Sequence, residues 1–142
     1  MSPVIRKIIL PGLVAGSVLL VLSIVGLYVT IWLFPALAVL YFDPAFDTQS
    51  ERAILYFMHP FVAGLALSWF WDRSKSLFKG SFLEKGIGFG LLYWLVSVVP
   101  MMWLIYSAIA VPLQLVASWL LFGLIQAIIA GFVLGKLNAG GQ

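Results

Sequence analysis

Few residues in this chain could do chemistry, and the densest group of them is Asp43, Asp47, Glu51 and His59. Three carboxylates and an imidazole are the oxygen and nitrogen donors that a divalent metal accepts. Their spacing follows no ligand pattern, and loop carboxylates are ordinarily just solvated, so the expectation is no metal and no cofactor. His59 is the only histidine. Paired with a serine it would make a base and a nucleophile, but no serine here has a nucleophile motif around it. With no cysteine in the chain, thiol chemistry, disulfides and sulfur-ligated metals drop out as well. No catalytic residue is assigned, and a non-enzymatic role is expected.

His59 and Gln126 stand out for a different reason: they are the most polar side chains within long apolar runs. Hydrocarbon offers such groups no partner, so both are expected to turn inward. Pro60 leaves the Tyr56 carbonyl without its helical donor, which gives the imidazole N–H of His59 a nearby acceptor. Gln126 can reach across to His59 or to a hydroxyl. As ligand or pore residues the sequence offers His59, Gln126, Tyr56 and Tyr93, with serines alongside.

The elements that hold these residues follow from composition. Of 142 residues, 63% are hydrophobic and 9% charged. A water-soluble domain carries about 25% charged residues, so water is not the solvent for most of this surface. About 20 apolar residues in a helix cross a hydrocarbon core. Four stretches qualify, approximately 8–34, 53–71, 82–106 and 112–137, which predicts an all-α membrane protein: a four-transmembrane-helix bundle forming one domain over 1–142. Capping boxes fit the starts of the second and third spans, at Thr48–Glu51 and Ser81–Glu84. Asp43-Pro44 suits a short helical turn in the first loop, and Pro35 and Pro100 are positioned to bend their helices. The first apolar run is too long for the h-region of a signal peptide, so it reads as an uncleaved span despite Ala36-Leu37-Ala38 beyond it.

Arg6, Lys7, Arg73, Lys75, Lys79, Lys85 and Lys136 fall on one side of this arrangement, and Arg52 alone falls on the other, with Asp43, Asp47 and Glu51. The positive-inside rule then places both termini and the middle loop in the cytoplasm, as in a bacterial inner (plasma) membrane protein. Trp69 and Trp71 are expected at the inner boundary, and Trp32, Trp103 and Trp119 towards the outer one. The net charge of +3 is spread over helix ends instead of forming a patch, which speaks against nucleic acid. The basic loop 72–79 can attract anionic headgroups, with Leu77 and Phe78 dipping into the interface.

Each span also carries small residues four apart: Gly12 and Gly16, Gly64 and Ser68, Gly86 and Gly90, Gly131 and Gly135. Such pairs share a helix face and let backbones approach closely. Their common depth predicts a bundle pinched at its inner end. Bulky Trp32, Phe34, Met101, Met102, Trp103 and Tyr106 populate the other half, which is expected to splay. Gly86-Ile-Gly-Phe-Gly90 follows no strand, so it is no nucleotide fingerprint.

The stretches 59–68 and 126–135 match in parallel, pairing His59 with Gln126, Ala63 with Ala130, Gly64 with Gly131 and Leu67 with Leu134. Upstream, Tyr28 and Pro35 share the spacing of Tyr93 and Pro100. This suggests two parallel-related helical hairpins. No Asp, Glu, Lys or Arg lies deep in any span, which disfavours proton-coupled pumping. The expected function is a small membrane subunit that binds lipids, a membrane-protein partner or its own copies. Passive transport through a cavity near His59 and Gln126 is the alternative.

Overall fold

The computed structural model describes residues 2–41 and 53–138. These are helical almost throughout, and four of the helices are long and apolar enough to cross a membrane: Ile5–Leu33 (α1), Ala53–Leu77 (α3), Phe82–Ala108 (α4) and Leu113–Asn138 (α5). A short helix, Pro35–Tyr41 (α2), follows α1. The ends differ from the sequence estimate by a few residues. α1 begins earlier, because Arg6 and Lys7 join its first turns, and α3 runs on through Arg73 into a closing 3₁₀ turn. Polar residues can continue a helix beyond its apolar stretch, so hydropathy alone marks the ends too early. The Thr48–Glu51 box, Asp43-Pro44 and the acidic group 43–51 lie outside the described residues.

Proline explains most of the local irregularity. Pro35 lacks a backbone N–H and cannot extend α1, which closes at Leu33; the chain turns at Phe34 and restarts with Pro35 in the first position of α2. Pro11 and Pro100 each stand two residues beyond a five-residue π-helical segment, Ile5–Ile9 and Trp94–Val98. A proline ring presses on the carbonyl four residues before it. Widening the preceding turn to i→i+5 bonds, as from the Val99 N–H to the Trp94 carbonyl, relieves that pressure without breaking the helix. Pro60 lies inside α3, which continues through it. The start of α4 is set locally: Ser81 Oγ accepts from the Glu84 N–H, and Glu84 Oε2 accepts from the Ser81 N–H at 2.7 Å.

The long helices pack in two pairs, α1 with α3 and α4 with α5, and the pairs meet chiefly where α1 lies against α5. Glycine decides both close crossings. A methyl group on Gly16 would stand 2.8 Å from Phe61 Cα, and one on Gly64 would stand 2.7 Å from Gly16 Cα. In the other pair, a methyl on Gly90 would stand 2.7 Å from Ile128 Cα, and Gly131 faces the backbone of Gly86. Without side chains between them, the backbones reach dispersion contact along several turns. Gly12 approaches Leu65, Gly135 lies against Phe82 and Trp71, and Ser68 is fully buried with its hydroxyl directed at the Lys7 carbonyl, 3.5 Å away. That carbonyl is the acceptor Pro11 would have served in a regular helix.

At the same depth as the glycine contacts, in the half of the bundle that carries Arg6, Lys7, Arg73 and Lys136, an apolar core closes the bundle. Ala15, Leu19, Leu67, Trp71, Phe89, Ala130 and Leu134 are buried there together. Trp71 meets Phe89 edge-on at 5.1 Å and stacks with Phe78 at 6.3 Å, and Phe70 lies 5.3 Å from Phe89. Two expectations need correcting. Trp71 is 3% exposed and belongs to the core, whereas Trp69 beside it is half exposed with the Arg73 guanidinium over its ring. Phe78 packs inward on Trp71 and Phe89, and only Leu77 stays exposed. In both cases neighbouring positions on a helix or turn point to different faces, which a stretch of aromatics in sequence does not reveal. Asp72 pairs with Lys75 at 2.7 Å, so part of the loop's charge is already neutralised.

Candidate functional site

A cavity of about 90 Å³ opens between the helices on the far side of this core. Its walls come from all four long helices: Leu19 and Ser23 of α1, His59, Pro60, Ala63 and Leu67 of α3, Tyr93 and Val98 of α4, and Gly123, Gln126 and Ala127 of α5. Leu19 and Leu67 also belong to the buried core, so the floor of the crevice is the apolar plug itself. Three of the four candidate side chains, His59, Tyr93 and Gln126, are brought to this one crevice. Tyr56 is not: it is 64% exposed, one turn before Pro60, and its ring meets only Phe57 edge-on among the described aromatics. Tyr56 stands one turn farther along α3 from Leu67 than His59 does, and His59 is already at the rim.

One polar bond crosses the bundle here. Ser23 donates its hydroxyl proton to the Leu19 carbonyl at 2.9 Å, which leaves the hydroxyl oxygen as an acceptor. Gln126 Nε2 donates to that oxygen at 3.0 Å, tying α5 to α1. Because the serine proton is spent on Leu19, the amide must present nitrogen to Ser23 and keep its carbonyl oxygen for another partner. Of the two partners expected for Gln126, a hydroxyl is the one used, and His59 is not. From the sequence Ser23 is legible only as one of several serines. Its position, one turn after Leu19 on α1, became meaningful only once α5 was set beside it.

His59 lies exposed at the rim of the crevice and Tyr93 is half-buried in its wall; neither makes a hydrogen bond with the described residues. The crevice therefore offers an imidazole, a phenol and an amide carbonyl as unused hydrogen-bonding groups, with no carboxylate, ammonium or guanidinium among its lining residues. Among the described residues no group of three or more His, Asp or Glu is placed to hold a metal. On the α4 side the chain is π-helical over Trp94–Val98: Val98 faces Gly123, and the Trp94 indole N–H donates to the Leu120 carbonyl at 2.8 Å, fixing α4 to α5. Such π-helical turns recur at functional sites.

A second, apolar recess of about 320 Å³ adjoins the first and lies between α3 and α4. Ala66, Trp69, Phe70, Val96 and Ser97 line it, and it shares Ala63, Leu67 and Tyr93 with the crevice. The eight glycine and serine packing positions lie elsewhere, at the helix crossings described above. The part of the half-to-half correspondence that involves Tyr28 and Pro35 does not carry over into three dimensions. Tyr28 is exposed while Tyr93 lines both recesses, and Pro35 separates two helices while Pro100 lies within one. The packing instead sets Gly12 and Gly16 opposite Gly64 in the way that Gly86 and Gly90 meet Gly131 and its neighbours.

No known protein family matches the chain, and neither the curated proteins nor the solved structures hold a similar one.

Proposed function

We propose that this chain is a non-enzymatic integral membrane protein of two parallel-related hairpins that binds a membrane amphiphile in its bundle. Both termini and the 72–79 loop lie on the cytoplasmic side. The observation that carries this reading is the blind crevice: hydrogen-bonding side chains from four helices converge above an apolar plug. Convergent polar groups in a concave, otherwise apolar site are the usual features of a ligand pocket. The plug also separates the reading from passive transport, since a conducting path from His59 to the basic loop would have to pass Trp71, Phe89 and Leu134. Oligomerisation through the glycines is disfavoured because Gly12, Gly16, Gly64, Gly86, Gly90, Gly131 and Gly135 are all buried within the single chain.

The two halves contribute alike. His59 and Gln126, paired in the sequence alignment, line the same crevice from α3 and α5, and each lies just before a glycine, Gly64 or Gly131, that grips the first helix of its own half. The test is co-purification. Protein extracted in mild detergent and analysed by native mass spectrometry should carry a lipid-sized adduct. Gly123→Leu, which puts a branched side chain where Val98 and Gly123 now face each other, should lose it while remaining folded. An adduct retained in full by Gly123→Leu, or none on the wild type after lipid is supplied, overturns the reading.

A further inference from the structure

The crevice and the recess beside it are made of different materials, and their junction has a chemical meaning. The crevice presents an imidazole, a phenol and the free carbonyl oxygen of Gln126, while the recess between α3 and α4 is walled by Ala66, Phe70 and Val96. Tyr93 lines both, and a tyrosine carries an apolar ring as well as a polar hydroxyl. A ligand that fills them together must be polar at one end and hydrocarbon at the other.

Three constraints narrow its class. First, no charged side chain lines the crevice, and a phosphate or carboxylate placed there would be buried without a counter-charge. The head must therefore be uncharged. Second, the Gln126 carbonyl oxygen can only accept, so the head must carry an O–H or N–H; His59 and Tyr93 can each donate in return to an ester or ether oxygen. Third, the crevice is small, about 90 Å³, which favours a compact head of glycerol size over a sugar or a phosphodiester. The recess, about 320 Å³, is the larger of the two and mostly apolar, which suits the nearer part of one acyl chain. Because Ala66, Trp69, Val96 and Ser97 are exposed on the flank of the bundle, the remainder of that chain continues into the surrounding hydrocarbon.

Resting on the proposed binding function, we propose that the ligand is a neutral, single-chain hydroxylated lipid of the monoacylglycerol or long-chain alcohol class. Its head sits at Gln126, His59 and Tyr93, and its chain leaves sideways between α3 and α4.

The experiment uses the full chain in nanodiscs with a 1-monoacylglycerol carrying a diazirine within its acyl chain, photolysed and mapped by peptide mass spectrometry. Competitors are unlabelled monoacylglycerol, its diacetylated form, which lacks the O–H groups, and a lysophosphatidylglycerol of the same chain length. Adducts are expected on 66–70 and 96–97, suppressed at least tenfold by the unlabelled monoacylglycerol and little by the other two. Ser97→Trp, which fills the recess, should remove the adducts, and Gln126→Leu should abolish the preference for free hydroxyls. Equal competition by the phosphate-headed lipid, or adducts unchanged by Ser97→Trp, overturns the assignment of head or chain. If an amphiphile still co-purifies and is still lost in Gly123→Leu, that failure leaves the binding function standing. If nothing co-purifies, both fall.

Discussion

Replacing Gly90 by alanine tests the pinched crossing most directly, because a neighbouring glycine on the same helix provides the reference. A Cβ on Gly90 would stand 2.7 Å from Ile128 Cα and 2.8 Å from both the Ala127 carbonyl oxygen and the Ile128 nitrogen. Carbon atoms settle at about 3.5–4.0 Å, so α4 and α5 would have to part locally by about 0.8 Å. All three obstructing atoms are backbone, so no rotamer change relieves the contact, and separation also loosens the Gly86–Gly131 approach one turn away. Overpacking of this kind costs about 1–3 kcal/mol. Alanine also returns up to about 1 kcal/mol of helix propensity, which would blur a measurement on Gly90 alone. Gly88→Ala carries the same propensity gain, yet its Cβ would meet only the Phe78 ring, a side chain that can shift. The difference between the two variants isolates the crossing. Reversible unfolding in mixed micelles titrated with sodium dodecyl sulfate, followed by tryptophan fluorescence, should place Gly90→Ala about 1–3 kcal/mol below Gly88→Ala. If Gly90→Ala proves as stable as Gly88→Ala or more so, the glycines are not what brings α4 and α5 together.

Two further outcomes follow from the same geometry. Ser68→Ala should cost about 0.5–1 kcal/mol by leaving the Lys7 carbonyl without a donor, and should cost measurably less in a Pro11→Ala background, where the helix supplies its own N–H; equal costs in the two backgrounds would show that the serine answers no such vacancy. Because the chain has no cysteine, single cysteines can report sidedness without interference: those at Ser76 and Asn138 should react with a membrane-impermeant maleimide only after the cell is opened, and one at Thr48 should react in intact spheroplasts, whereas labelling of Ser76 from outside would reverse the proposed topology.

Much of the architecture is legible in one dimension because the relevant physics is local. Four long apolar stretches become four long helices, since a helix satisfies its own backbone whatever lies beside it. The Ser81–Glu84 box forms as its spacing requires, because both partners lie within one turn. Small residues four apart mark a helix face that permits close approach, although their sequence says nothing of which helix takes up the offer. That choice belongs to tertiary structure: Gly64 faces Gly12 and Gly16, and Gly131 faces Gly86, although small residues stand at similar depth on every span. The site divides in the same way. His59 and Gln126 could be singled out because a polar group in an apolar helix needs a reason. The partnership of Gln126 with Ser23, 103 residues away, the exclusion of Tyr56 and the dual role of Tyr93 depend on helix rotation and separation. So does the burial of Trp71, whose neighbour Trp69 has the same chemistry and the opposite surroundings. A helix turns about 100° per residue, so adjacent side chains face different neighbours, and only the packed bundle decides which face becomes the site.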